Sequence, residues 1–444
     1  MAILIVLYCL TGSIFYLVFT SEVNQSINIE TFRLAIFIFM LPLLTKFVVQ
    51  IVAAFSYPYI EKRRAKKGSV PDNAKVSVLI PAWNEEVGIL KTINSVIETR
   101  YSNLELIVIN DGSTDKTGEL VTNYIDKYNA QAAEETHEHT CVIKYIELTN
   151  GGKARALNQA LAIASGEFII TVDADSVMDC DAITKLLKRF DHPSVGAVAG
   201  NVIVGNRKQP LALLQQLEYL FGFFFKRADS VFNAVYIIGG AAAAYRRRTL
   251  DCVHGFDQKI ITEDIEMSMR ILSHGFKTRF AADAVVFTEG PIDLKGLGKQ
   301  RLRWKFGRII TFLEHKDMFF NRKLKNPYLS HLLLPVALYG ELSLLLEPLL
   351  LVVFYGYTVY CNDYLPLACI ITAVTLLVLY QIKTDSKSNF HKNIICLAPI
   401  AWVLFYVIDF IELKALIKSV KRLIKKQELK WQSWDRVGLL SKKI

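Results

Sequence analysis

Membrane-length apolar runs sit at both ends of this chain, with a charged and periodic middle between them. That layout restricts the architecture before any motif is read. Ala2–Thr20 is almost wholly apolar, and a second run, containing Lys46, covers roughly residues 32–59. A helix of about 20 apolar residues spans a bilayer, so residues 1–60 are expected to hold two transmembrane helices. Further runs near Leu329–Tyr360, Leu365–Ile382 and Asn393–Leu416 place C-terminal transmembrane helices within residues 328–416. The first run lacks a basic leader and a small-residue cleavage site, unlike a cleaved signal peptide.

Charge orients these runs. Of 444 residues only 21% are charged, yet the net charge is +10. Lys414–Ile444 carries +8 and Glu61–Lys67 (EKRRAKK) carries +4, so the rest sums to −2. Both basic blocks directly follow apolar runs. This fits the positive-inside rule and anionic headgroups better than a nucleic-acid groove, so no nucleic-acid partner is expected. Residues 61–74 read as a basic linker and 417–444 as a basic tail. A multi-pass protein of the inner (plasma) membrane is expected, with its middle in the cytoplasm. Five simple crossings would leave the tail outside, against its charge. The expected resolution is a C-terminal run that folds back, with Pro348 and Pro399 as candidate break points, and a cytoplasmic tail. Lys46, Glu341, Glu347 and Asp409 lie in or near the runs, either lining a polar pathway or snorkelling to the interface. The seven cysteines are dispersed without CxxC spacing, which argues against a disulfide framework or a zinc site.

The middle alternates. Val76–Ile80, Leu104–Asn110, Val142–Leu148 and Phe168–Val172 read as strands, each followed by a loop or helix signal. Near-continuous apolar strands between helices predict a parallel α/β sheet, whose ligands bind beyond the strands' carboxyl ends. Three such ends are polar: Pro81–Glu85, Asp111–Asp115 and Asp173–Asp175. In FIITVDADS a core strand ends in two carboxylates one residue apart. Like charges crowd there only if something neutralises them, and a hard divalent cation is one solution. The plain alternative is a helix cap by Asp175 or Ser176. Gly151-Gly152-Lys153 opens a helix but is not a Walker A loop, since Ala154 replaces Ser/Thr. His137 and His139 sit among acids and read as a solvated loop. Thr262-Glu263-Asp264-Ile265-Glu266 enters a helix, where acids also suit the dipole. In KGLGKQRLRWKFGRIITFL, Leu297, Arg301 and Trp304 share one helical face and Gln300 and Arg303 the other. Its arginines would touch lipid headgroups or clamp a diphosphate. Leu211–Lys226 is a second apolar helix. The segment 239–246 reads as a small-residue loop and strand.

NDGS, DAD, TED and QRLRW, in this order and between membrane runs, resemble the processive family-two β-glycosyltransferases. The phrases VINDGSTDKT, GAVAGN, AAYRR, ITEDIEMS and KGLGKQRLRW are similar to those of bacterial poly-β-1,6-N-acetylglucosamine synthases, as is the tail KWQSWDR, except that Trp434 stands where proline is expected. The resemblance implies an α/β GT-A-like catalytic domain over residues 75–290, with a Rossmann-like mixed or parallel sheet, embedded in a helical membrane bundle. Interfacial helices at 291–327 would carry QRLRW. It implies Mg²⁺ or Mn²⁺ at Asp175. Asp111, Asp173, Lys153 and Glu85 would hold the nucleotide. Asp264 would be the general base, with Glu263 beside it, and Gln300, Arg303 and Trp304 would hold the diphosphate and acceptor end. The implied partners are a UDP-sugar donor, the growing glycan, the lipid membrane and a small membrane-protein subunit. Another β-glycan synthase, of the hyaluronan, chitin or cellulose type, a non-processive lipid glycosyltransferase and an inactive export scaffold remain the alternatives.

Overall fold

The computed structural model describes residues 2–23, 28–66, 70, 73–134, 141–429, 434 and 436–439, so His137 and His139 lie outside the described residues. Two long helices come first, α1 (Ala2–Thr20) and α2 (Asn28–Ala65). Then β1 (Val76–Ala82), α3 (Ile89–Ile97), β2 (Leu104–Asp111), α4 (Thr117–Glu134), β3 (Val142–Leu148), α5 (Lys153–Ile163) and β4 (Phe168–Thr171) alternate. β1 lies between β2 and β4, all parallel, with Val76 opposite both Leu104 and Phe168. Val78, Ile80, Leu106 and Ile170 pack with α3 on one face, while Leu79, Ile107 and Ile169 pack with α5 on the other. Covering both faces explains why these strands lack polar alternation.

The rest of the sheet departs from the parallel expectation. β5 (Ser176–Met178), α6 (Ala182–Leu187), β6 (Val195–Val204), α7 (Pro210–Val231), β7 (Ala243–Arg246), α8 (Arg247–Cys252), α9 (Glu263–Ser273) and β8 (Lys277–Thr288) follow. The strand order is β3-β2-β1-β4-β7-β6-β8-β5. β7 runs antiparallel to β4 and β6, and β5 antiparallel to β8. A doubly buried strand is apolar in either direction, so its direction leaves no mark in sequence. The plain alternative of a helix cap at Asp175 or Ser176 is not what forms, because Ser176 opens β5 and not a helix.

α10 (Leu294–Glu314) carries QRLRW, followed by α11 (Leu334–Tyr360), α12 (Leu365–Thr384) and α13 (Ala401–Ile424). Among the described residues, five segments are long and apolar enough to cross a membrane. The fifth, Phe390–Ile424, goes in and comes back. Phe390 packs 5.1 Å from Phe287 at the end of β8. Thr375 of α12 donates to the Ala398 carbonyl at 3.3 Å, and the Trp402 indole donates to Thr11 of α1 at 3.3 Å. Glu412 then returns to Lys305 of α10 at 2.9 Å. Past the helix, the Val437 amide donates to Glu289 at 2.6 Å. Both ends of the segment thus lie against the sheet domain. The reversal falls at Pro399 and Ile400, where a 3₁₀ stretch gives way to α13. Pro348 sits inside an unbroken α11. The described tail residues 436–439 therefore lie on the same side as the sheet, as the tail's charge predicts. Glu341 binds Lys305 and Arg308 and Glu347 hydrogen-bonds Asp409, while Lys46 lies within electrostatic reach of Asp229 and Arg308.

Candidate active site

The carboxyl ends of β1, β2 and β4 open on one rim because the three strands are parallel. Asp111, the last residue of β2, accepts from the Gly151 amide at 3.0 Å and the Gly152 amide at 2.8 Å. Its carboxylate thus fixes the turn that launches α5. The approach is close enough that a Cβ at Gly112, which has φ +68°, would stand 2.5 Å from the Asn150 nitrogen. The turn aims Lys153 across the rim, where its ammonium lies 2.6 Å from Asp173 and 2.9 Å from Glu263. Burial works against this ammonium, but Asp173, Glu263 and Asp264 outweigh it and hold its pKa well above the ordinary lysine value. Burial pushes Glu263 up, against the pull of Lys153.

Asp264 sits in the first turn of α9. Its carboxylate accepts from the Ile265 amide at 2.9 Å and the Gly240 amide at 3.1 Å. Gly240 must be small, since a Cβ would lie 2.5 Å from Lys153 Nζ and 3.3 Å from Asp173. The loop after α7 is thereby pressed onto the acid cluster.

The two carboxylates of DAD have separate partners. Asp173 takes Lys153, while Asp175 takes Arg436 of the tail at 2.6 Å. Arg436 also donates to Glu85 at 2.6 Å. Burial, opposed by Arg436, pushes Glu85 up to about 8, and its Oε2 is buried with no hydrogen-bond partner among the described residues. Glu289 completes the group, accepting from the Val437 and Gly438 amides and lifted by burial. The chain itself therefore supplies cations at the crowded carboxylates.

α10 closes the rim. Arg303 faces Glu263, Asp173 and Asp264 and lies 5.7 Å from the Trp434 ring. Gln300 is buried, with Oε1 unpartnered among the described residues. Arg301 does not reach headgroups. It is 1% exposed, bonds Glu218 at 2.6 Å and stacks 4.3 Å from the Trp304 ring. Gly307 lets α10 press on Thr262 beside the acids.

Asp111, Lys153, Asp173, Glu263, Asp264 and Arg303 thus converge on one side of the rim, and Glu85 and Asp175 meet through Arg436. Trp304 packs against Tyr219, with ring centroids 6.4 Å apart, and under Arg301. Sequence reasoning missed Arg436 and Glu289. Only the tail's WxR-like phrase hinted at Arg436, and nothing local marked Glu289.

Residues 77–253 match the Glycosyl transferase family 2 description and residues 168–408 match Glycosyl transferase family group 2. The second match covers more than half of the chain, which belongs to that family. The chain is 33% identical over 254 residues to the poly-β-1,6-N-acetyl-D-glucosamine synthase of Staphylococcus aureus strain COL, covering 56% of this chain and 58% of that one. It is 32% identical over 236 residues to the enzyme of the same name from Staphylococcus epidermidis, covering 52% and 54%. The chain thus spans little more than half the length of the curated relatives it matches. A solved mannosyltransferase from Pyrobaculum calidifontis, in complex with GDP-Man and Mn²⁺, superposes with a TM-score of 0.54 at 21% identity, over 88% of this chain and 100% of that one. That likeness concerns the fold.

Proposed function

We propose that this chain polymerises N-acetylglucosamine from UDP-N-acetylglucosamine into a β-linked exopolysaccharide of the poly-β-1,6 type and passes it through the membrane bundle. The observation that carries the reading is the convergence of Lys153, Asp173, Glu263, Asp264 and Arg303 on a rim closed by α10, which packs on α13. The names of the similar staphylococcal synthases support the sugar. The catalytic domain would lie on the cytoplasmic face of the plasma membrane, where nucleotide sugars are made.

The chemistry assigns each residue a task. Asp111 and the glycine turn it fixes, with Lys153, Asp173 and Glu85, would hold the nucleotide. Asp264 would take the proton of the acceptor hydroxyl, a contribution of about 10²–10⁴-fold, with Glu263 tuning the local charge. Gln300, Arg303 and Trp304 would hold the diphosphate and the acceptor end. Attack on the α-linked donor from the opposite face would give a β-linkage, through a transition state with oxocarbenium character. The oxygen donors of Asp175, Asp173 and Glu85 suit Mg²⁺ or Mn²⁺. The buried, unpartnered Glu85 Oε2 fits that reading, as an acceptor a cation would satisfy. When bound, such an ion neutralises charge on the departing diphosphate.

The test is a donor screen with product analysis on purified protein in detergent with Mg²⁺. UDP-N-acetylglucosamine should give UDP and long polymer. One sugar on a lipid would mean a non-processive enzyme, and silence with every common UDP-sugar would leave the export scaffold.

A further inference from the structure

Where the sheet meets the membrane helices, α7 packs against β6, β8 and α12. A cavity at this junction is lined by Asn201 of β6, Phe280 of β8, Phe224 and Arg227 of α7, Gln381 of α12 and Asp385 just beyond it. It has room for water centres of about 10 Å³, roughly the space that one water needs. Gln381 is 1% exposed, and neither its amide nitrogen nor its amide oxygen has a hydrogen-bond partner among the described residues. The Nε of Arg227 is buried and unpartnered in the same way. Arg227 and Asp385 bring opposite charges to the cavity, yet their other atoms bond elsewhere. Arg227 donates to the Thr384 hydroxyl at 3.3 Å and to the Thr384 carbonyl at 3.2 Å. Asp385 accepts from Asn201 at 3.1 Å and from the Lys387 amide at 2.8 Å. Buried polar atoms cost stability when nothing satisfies them. Gln381 offers one donor group and one acceptor whichever way its amide is turned. A cation in the cavity would face Arg227, and an anion would face Asp385. Water both donates and accepts, so it alone suits this mixed set.

We propose that the cavity is a binding site for one ordered water that joins the sheet to the membrane bundle. The water accepts from Arg227 Nε, bonds the Gln381 amide and donates to the Asp385 carboxylate. It turns two separated charges into a water-mediated ion pair. Asn201 carries the connection on into the sheet, since its amide also donates to the Ala282 carbonyl of β8 at 3.1 Å. The Phe224 and Phe280 rings wall the site with apolar surface and offer the water no competing partner. The inference concerns how the two parts of the chain are seated on each other, and it holds whichever sugar is transferred.

The experiment images the full chain in lipid nanodiscs by cryo-electron microscopy, at a resolution that shows waters, and compares the melting of wild type with that of Gln381→Met. The wild-type map should carry a density peak about 2.7–3.2 Å from Arg227 Nε and from the Gln381 amide. Methionine keeps the length of the glutamine side chain and removes both of its polar atoms. With the water in place, Gln381→Met takes away one of its anchors, and the variant should melt about 2 °C or more below wild type. In a dry cavity the same change would remove two unpartnered buried atoms and raise the melting temperature. The sign of the shift therefore separates the two cases. An empty cavity in the wild-type map overturns the site whatever the variant does. A Gln381→Met protein that melts at or above wild type overturns it as well.

Discussion

Arg436 Nη1 lies 2.6 Å from Asp175 Oδ2, an ion pair between the tail and the loop after β4. The same guanidinium bonds Glu85, so one tail residue neutralises two rim carboxylates. Removing one member of a buried charge group costs about 3–5 kcal/mol when nothing replaces it. Arg436→Ala should therefore melt earlier than wild type without divalent ions. Mg²⁺ should raise its melting temperature more than it raises that of wild type, because two carboxylates stand open. Equal Mg²⁺-dependent shifts in differential scanning fluorimetry would contradict the placement of the ion.

Gly240 has no room for a side chain above Lys153. Gly240→Ala should push Lys153 away from Asp173 and Glu263. UDP release should fall by about tenfold or more, through loss of placed charge. The melting temperature should change little, since the clash falls on the far end of a flexible side chain. An alanine variant with wild-type UDP release would show that the Lys153 ion pairs do not serve turnover.

Glu218 gives a pH prediction. Burial, opposed by Arg301, pushes its pKa up to about 7. Between its unfolded value and about 7, the folded state holds a proton that the unfolded state has lost. The contribution of Glu218 to stability therefore falls as pH rises through that window. Glu218→Gln removes the titration, so its melting temperature should decline less than that of wild type between pH 5 and 7. Parallel curves would contradict the assignment.

The reversal at Pro399 predicts sidedness. In a background without native cysteines, Gln427→Cys should react with an impermeant thiol reagent from the same side as a cysteine restored at Cys252 on the sheet domain. Asn362→Cys, between α11 and α12, should react from the other side. Joint labelling of positions 427 and 362 would mean that the last segment crosses.

Local pattern carried much of this architecture. The apolar runs Val76–Ile80, Leu104–Asn110 and Phe168–Thr171 are strands because each is covered on both faces. The acids of NDGS and DAD were legible as a rim because parallel strands put their carboxyl ends together, whereas Asp264 of TED reaches it from the first turn of α9. Strand direction was not legible, since the four residues of β7 bury the same alanines either way. The Arg436 contacts span 261 and 351 positions and depend on the Pro399 reversal, so no local pattern contains them. Arg301 looked like a headgroup arginine until Glu218, on another helix, was seen to hold it.

The central claim is that the rim acids transfer sugar from a UDP donor, and UDP release tests it most directly. Wild type and Asp264→Asn are each incubated with UDP-N-acetylglucosamine and Mg²⁺, with and without a chelator. The account predicts rapid release by wild type, a loss of about 10²–10⁴-fold in Asp264→Asn, and a wild-type rate that collapses under chelation. Equal rates from the two proteins, or undiminished turnover in excess chelator, would contradict it.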